Sequence, residues 1–115
     1  MRVVHESGDA RQTLATEAET ADSFLARARG LMFRRSIPDD YALVFRFDGV
    51  ASRDVHMVFV PFPLDVLWLL DGEVQRTERL SPWTGLAKAE ADRLIELPAG
   101  SADGVAVGDT VRVVA

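Results

Sequence analysis

Asp54-Val55-His56 sets a carboxylate and an imidazole two residues apart. On a strand such residues share one face, about 6–7 Å apart at the backbone. The carboxylate can then orient and polarise the imidazole for general-base work, or the pair can supply two metal ligands. The chain has no cysteine and only one other histidine, His5. Neither a thiolate zinc site nor a three-histidine site can therefore be completed, and no metal and no cofactor is expected. A Gly-x-Ser-x-Gly elbow, a phosphate-cradling glycine loop and a calcium loop are all missing from the sequence. A strand-end histidine with a charge partner is the simpler reading of the pair.

Three further sites carry possible chemistry. Asp65 opens an apolar strand directly after Pro63-Leu64, where burial is costly without partners. It can accept hydrogen bonds from turn amides or pair with an arginine; a ligand or acid–base role is the alternative. Arg34-Arg35 and Arg53 present planar forks that suit a carboxylate or phosphate, with Asp39, Asp40 and Asp54 as ready internal partners. Trp83 lies in the loop Ser81-Pro82-Trp83-Thr84-Gly85, where an indole covers a core edge or lines a ligand patch. The candidate binding residues are thus Arg34, Arg53, Asp54, His56, Asp65 and Trp83, with no residue assigned as catalytic. Met32 with Phe33 and Met57 with Phe59 read as core, and Val107-Gly108-Asp109-Thr110 as a turn without chemistry.

The elements that must position these groups are mostly strands. Arg2–Glu6 and Arg11–Thr16 flank the turn-rich Ser7-Gly8-Asp9 and suit a hairpin. Tyr41–Phe47 alternates as a half-buried strand, and Asp48-Gly49 follows as a turn. Asp54–Val60 is the next strand, ended by Pro61 and Pro63. Asp65–Leu70 is apolar on both faces, as a central strand would be, and Asp71-Gly72 is a strong hairpin signal. The strand that follows, Glu73–Arg79, is polar enough to lie near an edge. Arg93–Leu97 and Val111–Val114 read as two more strands, with residues 87–91 ambiguous.

One helix stands out. Thr16-Glu17-Ala18-Glu19 fits a capping box, and Ala21, Phe24, Leu25, Ala28 and Met32 follow at helical spacing. With Gly30 as a C-terminal cap, the pattern predicts a helix over residues 18–29. The expected fold is α+β but mostly β: a small antiparallel barrel-like sheet with this one main helix packed at one end.

The whole chain of 115 residues is one domain's worth. Its net charge of −5 disfavours phosphate backbones, so no nucleic-acid partner is expected. Twelve of the thirteen basic residues are arginine, Lys88 being the exception. This usage fits the coding bias of a GC-rich genome, with acidic adaptation to high salt as the alternative. No apolar run approaches the roughly 18 residues of a membrane span, and the N-terminus lacks an apolar signal core. A cytoplasmic protein without a membrane partner is the expectation.

The order Gly30-Leu31-Met32-Phe33-Arg34, an apolar strand, His56-Met57, Pro63-Leu64-Asp65-Val66-Leu67-Trp68, Leu97-Pro98-Ala99-Gly100 and Val107-Gly108-Asp109 resembles the DUF192 family of domains of unknown function. The likeness runs from about Ala21 to Val114. It implies a compact β-rich α+β fold and no established activity. Many relatives sit behind an export signal or lipid anchor, which this sequence does not show. Relatives also carry an aromatic-Met-Lys-Asn-Thr stretch where this chain has His56-Met57-Val58-Phe59-Val60. A ligand held by those polar groups in relatives would lose them here. The family-like motifs imply a site where the strand before Pro61, the Asp65 turn and the Arg34 loop converge, with Trp83 at the rim.

The functional expectation is a non-catalytic domain that binds an unknown small ligand or protein partner. Its rival is a small hydrolase or lyase using Asp54, His56 and Asp65. A third possibility is an interaction module exposing an edge strand.

Overall fold

The computed structural model describes the backbone of residues 1–115 and every side chain except those of Phe24, Leu25 and Ala28. The hairpin at the N-terminus forms as the turn residues dictate, from β1 (Arg2–Ser7) and β2 (Ala10–Ala15). The apolar run becomes β5 (Leu64–Leu70), buried in all but its last residue. Asp71 and Gly72 both take positive φ, 54° and 83°, as a two-residue hairpin turn demands. They lead into β6 (Glu73–Leu80). The ambiguous residues 87–91 join the expected strand after them in one long β7 (Leu86–Pro98), and β8 (Thr110–Val114) closes the chain.

Two strands expected on either side of an Asp48-Gly49 turn are instead one. β4 (Tyr41–His56) runs through that dipeptide against β7. The misfit is absorbed by a register irregularity between Arg46 and Ala51, and the strand stops at His56, so Met57 to Val60 form a turn.

The main helix over residues 18–29 is absent, and the fold is nearly all β, not α+β. Glu17–Thr20 is a strand, β3, paired in parallel with β4 from Glu17↔Tyr41 to Thr20↔Val44. Only Phe24–Arg29 is helical (α1), too short to be a main helix; the Ser23 hydroxyl caps it by accepting the Ala26 N–H at 3.0 Å. The side chains of Phe24, Leu25 and Ala28, expected on the helix's apolar face, lie outside the described residues. The physical reason is competition. A short isolated helix is marginal, whereas residues 16–21 find β-type partners: the Thr16 and Glu17 amides bond Asp40 O, and the Ala21 amide bonds Val44 O. The sheet is also open and not barrel-like. Its order is β2-β1-β8-β6-β5-β7-β4-β3, with β2 and β3 as edges. β6 is interior in that order, yet its pairing with β8 is a single position, Glu73↔Thr110.

Alternation along β5 divides the interior into two cores. Leu64, Val66 and Trp68 pack with Leu43, Phe45, Val55, Met57 and Leu94 on one face. Leu67 and Leu69 pack with Val3, Val44, Ile95, Leu97 and Val111 on the other. At the edge of the first core the backbone of Gly85 makes a close approach. A Cβ there would lie 2.8 Å from each of Leu80 Cβ, Met57 Cγ and Ser81 O. Gly85→Ala should therefore cost about 1–3 kcal/mol, as overpacking does, read as a lower urea midpoint. An unchanged midpoint would show that this contact relaxes freely.

Candidate functional site

Beneath the segment around Gly30, β4, β5 and β7 enclose a cleft of about 370 Å³. Phe45, Leu64 and Leu94 contribute to its walls, together with Arg27, Arg29, Arg53, Asp54 and His56, and Glu96 lines it as well. Glu96 is on β7, paired with Leu43 of β4 on one side and Val66 of β5 on the other, both buried. The residue is only 7% exposed. Among the described residues it has no hydrogen-bond or ion-pair partner. The Gly30 backbone covers it: a Cβ at that glycine would stand 3.8 Å from Glu96 Oε1. Burial pushes the Glu96 carboxyl up to about 7, because the charged form loses its hydration without compensation.

The expected site residues divide among four places. Arg53, Asp54 and His56 share the main cleft. Arg53 is committed to structure: its guanidinium lies 3.8 Å from the Phe47 ring centroid and donates to Ala91 O and Gly49 O at 3.2 and 2.7 Å. This bridges the irregular stretch of β4. The Nδ1 of His56 accepts the Val58 N–H at 3.3 Å, which places the neutral ring's proton on Nε2. Asp54 and His56 make no hydrogen bond to each other.

Arg34 belongs to a second, adjoining cleft with Glu19 and Thr20, which shares Arg29 and Gly30 with the first. Its guanidinium lies 4.0 Å from the Glu19 carboxylate and 5.3 Å from the centre of the Tyr41 ring. Burial raises the Tyr41 phenol pKa, and Arg34 offsets part of that rise.

Asp65 points to neither cleft. One carboxylate oxygen accepts the amides of Gly100 and Ala102 at 2.9 and 3.0 Å, and the other accepts Arg79 Nε at 2.9 Å. Asp65 and Asp103 together raise the Arg79 pKa. The structural alternative weighed for Asp65 is therefore the observed one. His56, Arg34 and Asp65 therefore do not share one cleft, and Asp65 does not join Asp54 and His56 in the centre that the hydrolase or lyase reading needs.

Trp83 packs with other exposed rings instead of covering a core edge. Met57 is fully buried, as expected, but Phe33 and Phe59 are exposed, contrary to their reading as core.

Two groups escaped the sequence reading. Glu96 left a signal, a lone carboxylate inside Leu94-Ile95-Glu96-Leu97. Asp109, assigned no chemistry, accepts the Ala106 amide at 3.0 Å and pairs with buried His5 at 2.7 Å. Those two contacts, the amide first, hold its carboxyl below the usual range. Among the described residues no three His, Asp or Glu side chains gather as a metal site, and no helix is long and apolar enough to cross a membrane.

Comparison with known proteins places this geometry in context. The model of the DUF192 family, described as Uncharacterized ACR, matches residues 3–113. UPF0127 protein PH1112 of Pyrococcus horikoshii is 33% identical over 102 residues, which are 84% of this chain and 86% of that protein. The chain is similar to the crystal structure of a Sinorhizobium meliloti 1021 protein provisionally named a transcription regulator. The TM-score is 0.86 at 26% identity, over 96% of this chain and 91% of the other. A protein of unknown function from Novosphingobium aromaticivorans DSM 12444 has the same fold, with TM-score 0.84 at 22% identity over 97% of this chain and 84% of that one.

Proposed function

We propose that this chain, which belongs to the DUF192 family of uncharacterised proteins, is a non-catalytic binding domain whose main cleft takes a small molecule with a protonated amine head. The observation that carries this reading is Glu96, a largely buried carboxylate that lines an open cleft and has no hydrogen-bond or ion-pair partner among the described residues. A carboxylate this poorly hydrated is costly to charge, and an arriving ammonium would supply both an opposite charge and hydrogen bonds. Phe45, Leu64 and Leu94 would hold an apolar body, and an anionic second group would meet Arg27 and Arg29. The reading is non-catalytic because Asp54 and His56 are not bonded to each other and Asp65 is occupied elsewhere.

Primary alkylamines and amino acids serve as probes in an amide-resolved NMR titration. The expected result is saturable shifts at Gly30, Arg53 and Glu96. Apparent affinity should rise from about pH 6 to about pH 8 as Glu96 ionises, and should be lost in Glu96→Leu. No saturable shift at those amides, or equal binding by Glu96→Leu, would remove the proposal.

A further inference from the structure

Three aromatic side chains stand together outside the core. Phe33, Phe59 and Trp83 are 62%, 44% and 53% exposed. Each takes a left-handed backbone conformation, with φ of 70°, 61° and 66°, which bulky residues seldom adopt. Their turns are tied to one another. The Phe33 N–H donates to Phe59 O at 2.8 Å, and the Trp83 N–H donates to Val60 O at 3.1 Å. The Phe33 and Phe59 rings stack at 4.7 Å, and Trp83 meets Phe59 edge-on at 6.1 Å. Val58 and Leu86 are also exposed; Val58 adjoins Phe59, and Leu86 lies opposite His56 in the ladder. An apolar patch built from several segments marks an interaction surface far more often than a lone exposed side chain does.

The charge around the patch says what it meets. The segments that carry the rings hold Arg29, Arg34, Arg35 and Lys88, and the carboxylates that flank them, Asp39, Asp40, Asp54, Asp65 and Glu90, lie beyond their ends. Arg34 leans on Glu19, and Lys88 faces Asp54 across the ladder. Arg35 is exposed and has no ion pair among the described residues.

We propose that this end of the sheet docks on an anionic lipid surface. The Phe33, Phe59 and Trp83 tips enter the headgroup boundary, and Arg35 and Lys88 meet lipid phosphates. Apolar tips beside cations are what interfacial attachment requires, and an indole suits that boundary. A single nucleic-acid strand fits less well, because Phe33 and Phe59 already spend ring faces on each other. A two-fold contact with a second copy would set like-charged ends against one another. The proposal is independent of the ligand assigned to the Glu96 cleft.

The test uses the full chain with phosphatidylcholine vesicles, with and without phosphatidylglycerol. Trp68 is fully buried, so a change in tryptophan emission reports Trp83. Co-sedimentation and a blue shift are expected only with phosphatidylglycerol, and binding should weaken at least about tenfold between 0.1 and 0.5 M salt. The variant Phe33→Asn/Phe59→Asn/Trp83→Asn should fold as well as the parent, since asparagine tolerates positive φ, and should lose co-sedimentation. Arg35→Glu should weaken it several-fold without touching the rings. Four results would overturn the proposal: no vesicle binding, binding retained by the triple variant, a parental dimer made monomeric by the triple variant, or preference for a single-stranded oligonucleotide.

Discussion

Asp65→Ala should remove about 3–5 kcal/mol of folding stability. The residue is 3% exposed, and its carboxylate ties the start of β5 to the turn after β7 through the Gly100 and Ala102 amides. Alanine would leave both N–H groups without an acceptor, and each such loss costs about 1–3 kcal/mol. Arg79 adds less, because its half-exposed guanidinium rehydrates when its partner is removed and still has Asp103. Asp65→Asn should lose about half as much, since one oxygen remains to accept. The urea midpoints of the three proteins at constant slope order these outcomes. A midpoint for Asp65→Ala close to the parent's would show that water enters and serves the turn amides.

The role of Asp65 was legible because its cause is local: a carboxylate at the mouth of an apolar strand has to find turn amides or an arginine. The same holds for β5 and for Asp71-Gly72, where apolar run and turn chemistry agree. The missing helix shows the opposite case. Thr16-Glu17-Ala18-Glu19 satisfies a local helical rule, but Glu17 to Thr20 pair with Tyr41 to Val44, a partnership no window around residue 17 contains. Asp48-Gly49 signals a turn, yet β7 is long enough to carry β4 past it.

The site was hidden for a related reason. Phe33, Phe59 and Trp83 read as core or cover by residue type, and only their left-handed backbone and mutual stacking reveal them as an exposed group. Glu96 lies in a stretch read only as the strand Arg93–Leu97. Its burial arises because β4 and β5, distant from it in sequence, bring Leu43 and Val66 to either side. His56, Arg34 and Asp65 were linked by the order of motifs along the chain, which does not say which sheet face each one joins.

The stability of the parent and of Glu96→Gln should diverge with pH. The folded-state pKa of Glu96 is raised to about 7 from 4.5, so the folded state holds this proton more tightly than the unfolded state does. The carboxyl then costs nothing well below the unfolded value. Its penalty grows as pH rises through the interval between the two values and levels off above the folded one. The interval corresponds to about 3 kcal/mol at 1.36 kcal/mol per pKa unit. Glutamine cannot ionise, so its curve lacks this fall. Any fixed difference in hydrogen bonding shifts that curve without changing its shape. Subtracting one from the other isolates Glu96 from all other titrating groups, and the variant should gain about 3 kcal/mol between about pH 4 and pH 8. A bound amine, by keeping Glu96 ionised and paired, should recover most of the parent's loss at alkaline pH and leave Glu96→Gln unaffected. A difference that stays constant across the range would mean that water already solvates this carboxylate, and the cleft would then lack the unpaired charge that draws a ligand into it.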